Sequence, residues 1–220
     1  CSDPLINQLQ SNILWGQKGN FVDVPTDCPQ RDERLGWTGD AQVFVKTAAF
    51  NMNVDPFFTK WLRDVRADQR PDGGVPYVIP HLDAENIPSH SACGWGDAIV
   101  ICPWTIYLIY GDKQILAENY AGMKAWIQYI REQGDNEYLW NTGFHFGDWL
   151  ALDAKTGSYL GATSNDFVAT AFYAYSTSLM IKIAEVLRLH EDAEQFRMLY
   201  ANIRKHFYQE FVTPSGRLSE

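Results

Sequence analysis

The chain has 220 residues, 46% hydrophobic and 20% charged, a balance that fits one folded domain and excludes a disordered tail. Its net charge of −9 excludes a nucleic-acid partner, because phosphate binding needs a basic face. Aromatic residues reach 14%, with 8 Trp, 11 Tyr and 12 Phe, enough to fill a large core or to line a cleft for flat-faced ligands such as sugars.

Asp3-Pro4 is an N-cap followed by a proline at the first helical position. Leu5, Ile6, Leu9, Ile13 and Leu14 then repeat at helical spacing, which predicts a first helix to about Trp15. From Asp23 to Asp40 no helix or strand period survives, and Pro25 and Pro29 stop a regular element across the first half. This stretch holds five acidic residues, Arg31, Arg34 and Trp37. A second helix starts near Thr38 to Asp40 and is expected to carry Val43, Phe44, Thr47 and Ala48 inward. Asp55-Pro56 opens a third, with Phe57, Phe58, Trp61, Leu62 and Val65 on one side.

Arg70 to Trp95 is rich in proline and glycine, including Pro88, and reads as a long irregular connection of the kind that usually carries function. An apolar helix follows from about Asp97 to Tyr110, with Pro103 expected to bend it. At 13 or 14 residues it is too short to cross a bilayer, which needs about 20, so no membrane partner is expected. Asp112 caps the next helix, whose stripe of Leu116, Tyr120, Met123, Ile127 and Ile130 runs to Gly134. Residues 135–163 form a second aromatic loop with Phe144-His145-Phe146-Gly147-Asp148-Trp149. Two helices close the chain, one marked by Val168, Phe172, Tyr175, Leu179, Ile183 and Val186, the other by Ala193, Phe196, Tyr200, Ile203 and Phe207. The pattern predicts an all-α fold of about seven helices, with short and long connections alternating and the long ones gathered at one end.

The carboxylates Asp27, Asp32, Glu33 and Asp40 crowd one segment with only Arg31 and Arg34 as nearby counter-charges. Such crowding raises the pKa of at least one of them, and a protonated acid beside ionised ones is what glycoside hydrolysis requires. The bland alternative is a solvated, salt-bridged turn between helices, against which Trp37 and the two aromatic loops weigh. Asp148 is a candidate second carboxylate, or a cap, or a sugar contact; Trp95 is a candidate wall or a lid on the helix after it. His145, between two Phe, reads as a packing residue rather than a catalyst. Cys1, Cys28, Cys93 and Cys102 show no disulfide framework and read as free thiols. His81, His90 and Cys93 match no ligand spacing, so neither a metal nor a cofactor is expected.

Asp27-Cys28-Pro29-Gln30-Arg31-Asp32-Glu33-Arg34-Leu35-Gly36-Trp37-Thr38-Gly39-Asp40 resembles the signature segment of bacterial α-L-rhamnosidases, glycoside hydrolase family 78. Gly94-Trp95-Gly96-Asp97 with Pro103-Trp104, Phe146 to Leu150, and Val168 to Tyr173 resemble that family in the same order. The resemblance implies an (α/α)6 barrel, of which residues 1–220 form part, and hydrolysis of terminal α-L-rhamnosyl residues with inversion. It implies Glu33 as general acid, Asp27, Arg31 and Asp40 as rhamnose-binding residues with Trp37 beside them, and Trp95 and Trp149 as aromatic walls. Its general base is a Glu in a Gly-Ala-Thr-Thr-x-x-Glu-Arg-Trp-like segment, which does not occur before Glu220. The expectation is therefore a barrel truncated on its C-terminal side, inactive alone, whose parent acts on rhamnose-containing glycosides. Two alternatives remain: a sugar-binding protein of the same fold without catalysis, and a helical scaffold. Free cysteines and the absence of Asn-x-Ser/Thr sequons suggest a cytoplasmic location, with periplasmic or secreted as the alternative.

Overall fold

A computed structural model describes residues 1–82 and 91–218. His90 and Pro88 lie outside the described residues. Seven helices occur among those described: α1 (Pro4–Asn20), α2 (Thr38–Asn51), α3 (Asp55–Asp68), α4 (Ala98–Tyr110), α5 (Lys113–Arg131), α6 (Asn165–Leu187) and α7 (His190–Phe211). No strand occurs among the described residues; β-type pairing among them is confined to isolated bridges such as Trp37 with Val78. Two caps are those the sequence announces: Asp3 accepts from Leu5 N at 2.8 Å and Asp112 from Gln114 N at 2.8 Å; at α3 the cap position is Val54 and Asp55 is already helical, and Ser164 caps α6 unannounced.

The helices stand in two layers. α2 packs on α4 and α4 on α6, making one row, while α3 packs on α5; α3–α4, α4–α5, α5–α6 and α6–α7 contacts cross between the layers. At the centre is α4, apolar on all sides, with Ala98 to Pro103 and Ile106 buried. Pro103 is accommodated inside this continuous helix. The three long connections each enter the N-terminal end of α2, α4 or α6, so the loops meet at one end of that row.

Several sequence expectations change. α1 continues to Asn20, five residues past Trp15, because neither Gly16 nor Gly19 takes the left-handed turn that would end it. Its apolar stripe does not face inward: Leu5 is 78% exposed and Ile6 and Leu9 are also exposed. α1 meets α2 by a polar edge instead, with buried Gln17 donating to Ala48 O at 3.1 Å and accepting from Asn51 at 2.9 Å. On α2 the buried face is Ala41, Val45 and Ala48, leaving Val43 and Thr47 exposed. Tyr175 is exposed on α6, and α5 ends at Arg131 rather than Gly134.

Aromatic packing ties the end of α1 to α3. Phe21 stacks on Phe57 at 4.5 Å and meets Phe58 edge-on at 5.9 Å, and Phe58 meets Trp61 at 6.0 Å. Phe58 and Trp61 are fully buried. Phe58→Ala is therefore expected to cost about 3–5 kcal/mol and Phe58→Leu under about 1.5 kcal/mol, read from urea-unfolding midpoints.

Candidate active site

The charged segment is suspended between two backbone bonds. Ile79 N donates to Gly36 O at 2.9 Å and Thr38 N to Tyr77 O at 2.8 Å. The approach is too close for a side chain: a Cβ on Gly36 would lie 2.1 Å from the Ile79 carbonyl oxygen. Beneath the segment, Tyr77, Val78 and Ala92 form a second small core, packed by Leu35, Trp37, Trp95 and Phe146. At the tip Arg34 holds a left-handed φ of 57°, which lets the chain return so that Asp27 N donates to Leu35 O at 3.0 Å and Leu35 N donates to Asp27 Oδ1 at 3.1 Å.

That reversal gathers four of the predicted residues. Glu33 Oε2 accepts from Arg31 Nε at 3.0 Å and Nη2 at 2.7 Å, and Glu33 Oε1 accepts from Trp37 Nε1 at 3.0 Å. The Arg31 pair first, then a carboxyl contact with Asp27, holds the Glu33 carboxyl below its ordinary range. The upward shift expected of this cluster falls on Asp40 instead, where desolvation and then the charges of Asp27 and Glu33 raise the pKa. Trp37 is not a free wall: its N–H is committed to Glu33 and its ring meets Phe146 edge-on at 6.0 Å.

Asp27 and Asp40 line a cleft of about 560 Å³ at the N-terminal ends of α2, α4 and α6. Trp95, Trp149, Phe44 and Phe172 supply aromatic wall, and Asn20, Gly39 and Gly94 also line it. Glu33, Arg31 and Trp37 adjoin the cleft through Asp27 and are not among its lining residues. Asp148 does not line it either; its side chain is exposed and turns towards Gly161, where an added Cβ would lie 2.6 Å from Oδ2. Trp149 is 42% exposed and rests on Phe146 and Tyr159 at 5.6 and 5.2 Å.

Sequence reasoning missed the hub of the wall. Phe146 touches Trp37, Tyr77, Trp95, Phe144 and Trp149, with Trp95 at 4.2 Å. Its sequence signals were membership of an aromatic run and of the Phe146 to Leu150 segment, neither of which gave it a role. Gly39 was also missed; the Trp95 ring lies where its Cβ would be, 2.6 Å from Cε2. Asp27, Cys28 and Glu33 can bring one donor atom each within 4.8 Å of one another, but a cation there would have to displace Arg31 from Glu33. Partial desolvation and the neighbouring Asp27 raise the Cys28 thiol, which opposes thiolate ligation.

The chain matches, over residues 1–220, the family model of the bacterial α-L-rhamnosidase six-hairpin glycosidase domain. It is 45% identical over 206 residues to an α-L-rhamnosidase of Formosa agariphila, covering 94% of this chain and 22% of that protein. A Streptomyces avermitilis α-L-rhamnosidase is 41% identical over 215 residues, covering 98% and 20%. The crystal structure of the S. avermitilis α-L-rhamnosidase complexed with L-rhamnose superposes with a TM-score of 0.86 at 41% identity, covering 99% of this chain and 20% of that one. The native Aspergillus terreus α-L-rhamnosidase gives 0.90 at 39% identity, covering 99% and 25%. The chain thus spans about a fifth of the length of the curated relatives it matches.

His145 behind the wall is buried, with Nδ1 accepting from Cys93 N at 3.2 Å and Nε2 facing Thr142 O at 3.1 Å. Burial lowers its pKa from 6.5 to about 4. Between those values the unfolded chain binds the extra proton, so the contribution of neutral His145 is complete above pH 6.5 and lost as pH falls towards about 4. The loss is expected to reach on the order of 3 kcal/mol. His145→Asn, which keeps an acceptor for Cys93 N, should flatten that part of the stability–pH profile.

Proposed function

Because the chain belongs to the bacterial α-L-rhamnosidase six-hairpin glycosidase family, we propose that its protein hydrolyses terminal α-L-rhamnosides, with Glu33 as general acid. The observation that carries this reading is the convergence of Glu33, Asp27 and Arg31 beside an aromatic-walled cleft of about 560 Å³. That volume lies within the range of small-ligand pockets. Trp95 and Trp149 offer faces to the C–H side of a pyranose ring, and Asp27 and Asp40 accept from its hydroxyls. Trp95 and Asn20, both lining residues, each carry a buried polar atom, Nε1 and Oδ1, without a protein partner. The relative from S. avermitilis, solved with L-rhamnose, supports rhamnose as the sugar.

An acid must carry a proton, and in this structure Arg31 favours ionised Glu33. In the proposed mechanism a sugar hydroxyl draws the Arg31 guanidinium off Glu33. The contact is suited to exchange: the Arg31 side chain is 61% exposed and that of Glu33 28%. Without its cation, Glu33 loses the contact that most lowers its pKa and takes up a proton from solvent, which it then delivers to the glycosidic oxygen. Inversion needs a base about 6.5–9.5 Å away across a water, and we assign it to a residue outside 1–220. One observation favours the second reading, a protein that holds sugar without cleaving it: the lowered pKa of Glu33 itself.

Leaving groups separate the two readings. In the protein as its gene encodes it, Glu33→Gln is expected to lower kcat on an alkyl α-L-rhamnoside about 10²–10⁴-fold. On a nitrophenyl α-L-rhamnoside, whose leaving group needs less protonation, the loss should be much smaller. Rhamnose affinity should change less than about tenfold, and β-L-rhamnose should appear first by NMR. Equal turnover by wild type and Glu33→Gln on both substrates would remove Glu33 as acid. Rhamnose binding without turnover in the wild type selects the second reading.

A further inference from the structure

Asp97 occupies the N-cap position of α4 but does not cap it; its side chain makes no bond to the helix's first amides. The carboxylate is turned back and completely buried, with no cation among the described residues against it. Oδ2 accepts from Gly94 N at 2.8 Å. Oδ1 accepts from Trp126 Nε1 on α5 at 3.0 Å and from the Ser176 hydroxyl on α6. A charge buried among neutral donors is a poor source of stability, since a well-packed apolar side chain would serve as well or better. Its effect is geometric: it joins α5 and α6 to one amide of the turn before α4.

That turn bears the wall. Gly94 has φ +76° and lines the cleft, and Trp95 follows it. Trp95 is wedged against Gly39, the residue before Asp40, while on the other side Gly96 lies so close to the Trp126 ring that a Cβ would be 2.3 Å from it. His145 holds the preceding amide, that of Cys93. Both amides ahead of Trp95 are thus pinned by buried side chains that lie outside the cleft lining.

We infer that Asp97 is a positioning residue: its bond to the Gly94 amide fixes the face of Trp95 beside Asp40 and so sets the affinity of the cleft for a pyranose ring. The inference rests on the cleft being the sugar site proposed above. It assigns Asp97 no contact with sugar. Loss of a preformed wall removes binding energy common to substrate and transition state, so KM changes and kcat does not.

Asp97→Asn tests this almost isosterically. The amide oxygen, kept on the Oδ1 side, still accepts from Trp126 and Ser176, which places the NH₂ against the Gly94 N–H, donor against donor. Ser176→Ala removes one Oδ1 donor and leaves the Gly94 bond intact. In the protein as its gene encodes it, Asp97→Asn is expected to raise KM for an aryl α-L-rhamnoside, and Ki for rhamnose, about tenfold with kcat within about threefold. Ser176→Ala should keep KM within about twofold even where its melting temperature falls as far. Native-state hydrogen exchange across residues 93–96 should speed up at least about a hundredfold in Asp97→Asn and not in Ser176→Ala. Equal KM shifts in the two variants, or unchanged exchange in Asp97→Asn, overturn the inference. If wild type neither cleaves a rhamnoside nor binds rhamnose, the functional reading fails and the exchange comparison alone decides the positioning role. Should Asp97→Asn not fold, exchange in the unmodified protein decides: a Gly94 amide as protected as the core of α4 supports the role, and a freely exchanging one ends it.

Discussion

Thr38 N donates to Tyr77 O and Ile79 N to Gly36 O, and from these two bonds the charged segment hangs. They fix where the reversal from Asp27 to Leu35 ends and where α2 starts, and the bonds between Asp27 and Leu35 close the reversal onto that point. Without a side chain at Gly36 the two strands of backbone can touch; with one they could not. Thr38 adds its hydroxyl, which donates to Tyr77 O at 2.9 Å from a fully buried site. A polar, irregular loop is thereby given the rigidity that a helix would otherwise supply.

Rigid placement lets like charges be sorted. Glu33 and Asp40 carry the same kind of group a few residues apart, and their surroundings push them in opposite directions, Glu33 down through Arg31 and Asp40 up through desolvation. Here the lowering partner is exposed and exchangeable while the raising one belongs to the cleft wall. A ligand that recruits Arg31 therefore changes Glu33 more than Asp40.

Much of this was legible in the residues, and the limits have physical reasons. Asp3-Pro4, Asp55-Pro56 and Asp112 announce helix starts because caps and prolines act within three or four residues of themselves. The stripe on α1 has the right period and the wrong partner, since periodicity shows that a face is apolar without saying what covers it. Val43 was expected in the core and lines the cleft instead. The charge density between Asp23 and Asp40 marked the site, yet which carboxylate would be raised depended on Arg31 folding back to Glu33, a contact two residues away in sequence and undetermined by it. Asp148, flanked by Gly147 and Trp149, looked like a partner carboxylate; a left-handed Gly147 and the turn to Gly161 direct it out of the cleft.

The site is held by two kinds of anchor, and their difference is the design. Behind the wall, Asp97 and His145 are buried and each fixes a backbone amide; replacing those bonds with water would require opening the core. At the charged rim, Arg31 and Glu33 are paired in the open, where water or a hydroxyl substitutes for either partner at little cost. Rigid anchors belong where shape is read, because a ring face displaced by an ångström loses its stacking. Exchangeable ones belong where a proton must move, because a carboxyl locked to a cation cannot take one up. The segment that carries the acid candidate is therefore fixed in its backbone and exchangeable at its Arg31–Glu33 pair, while the turn that bears Trp95 is held by buried bonds.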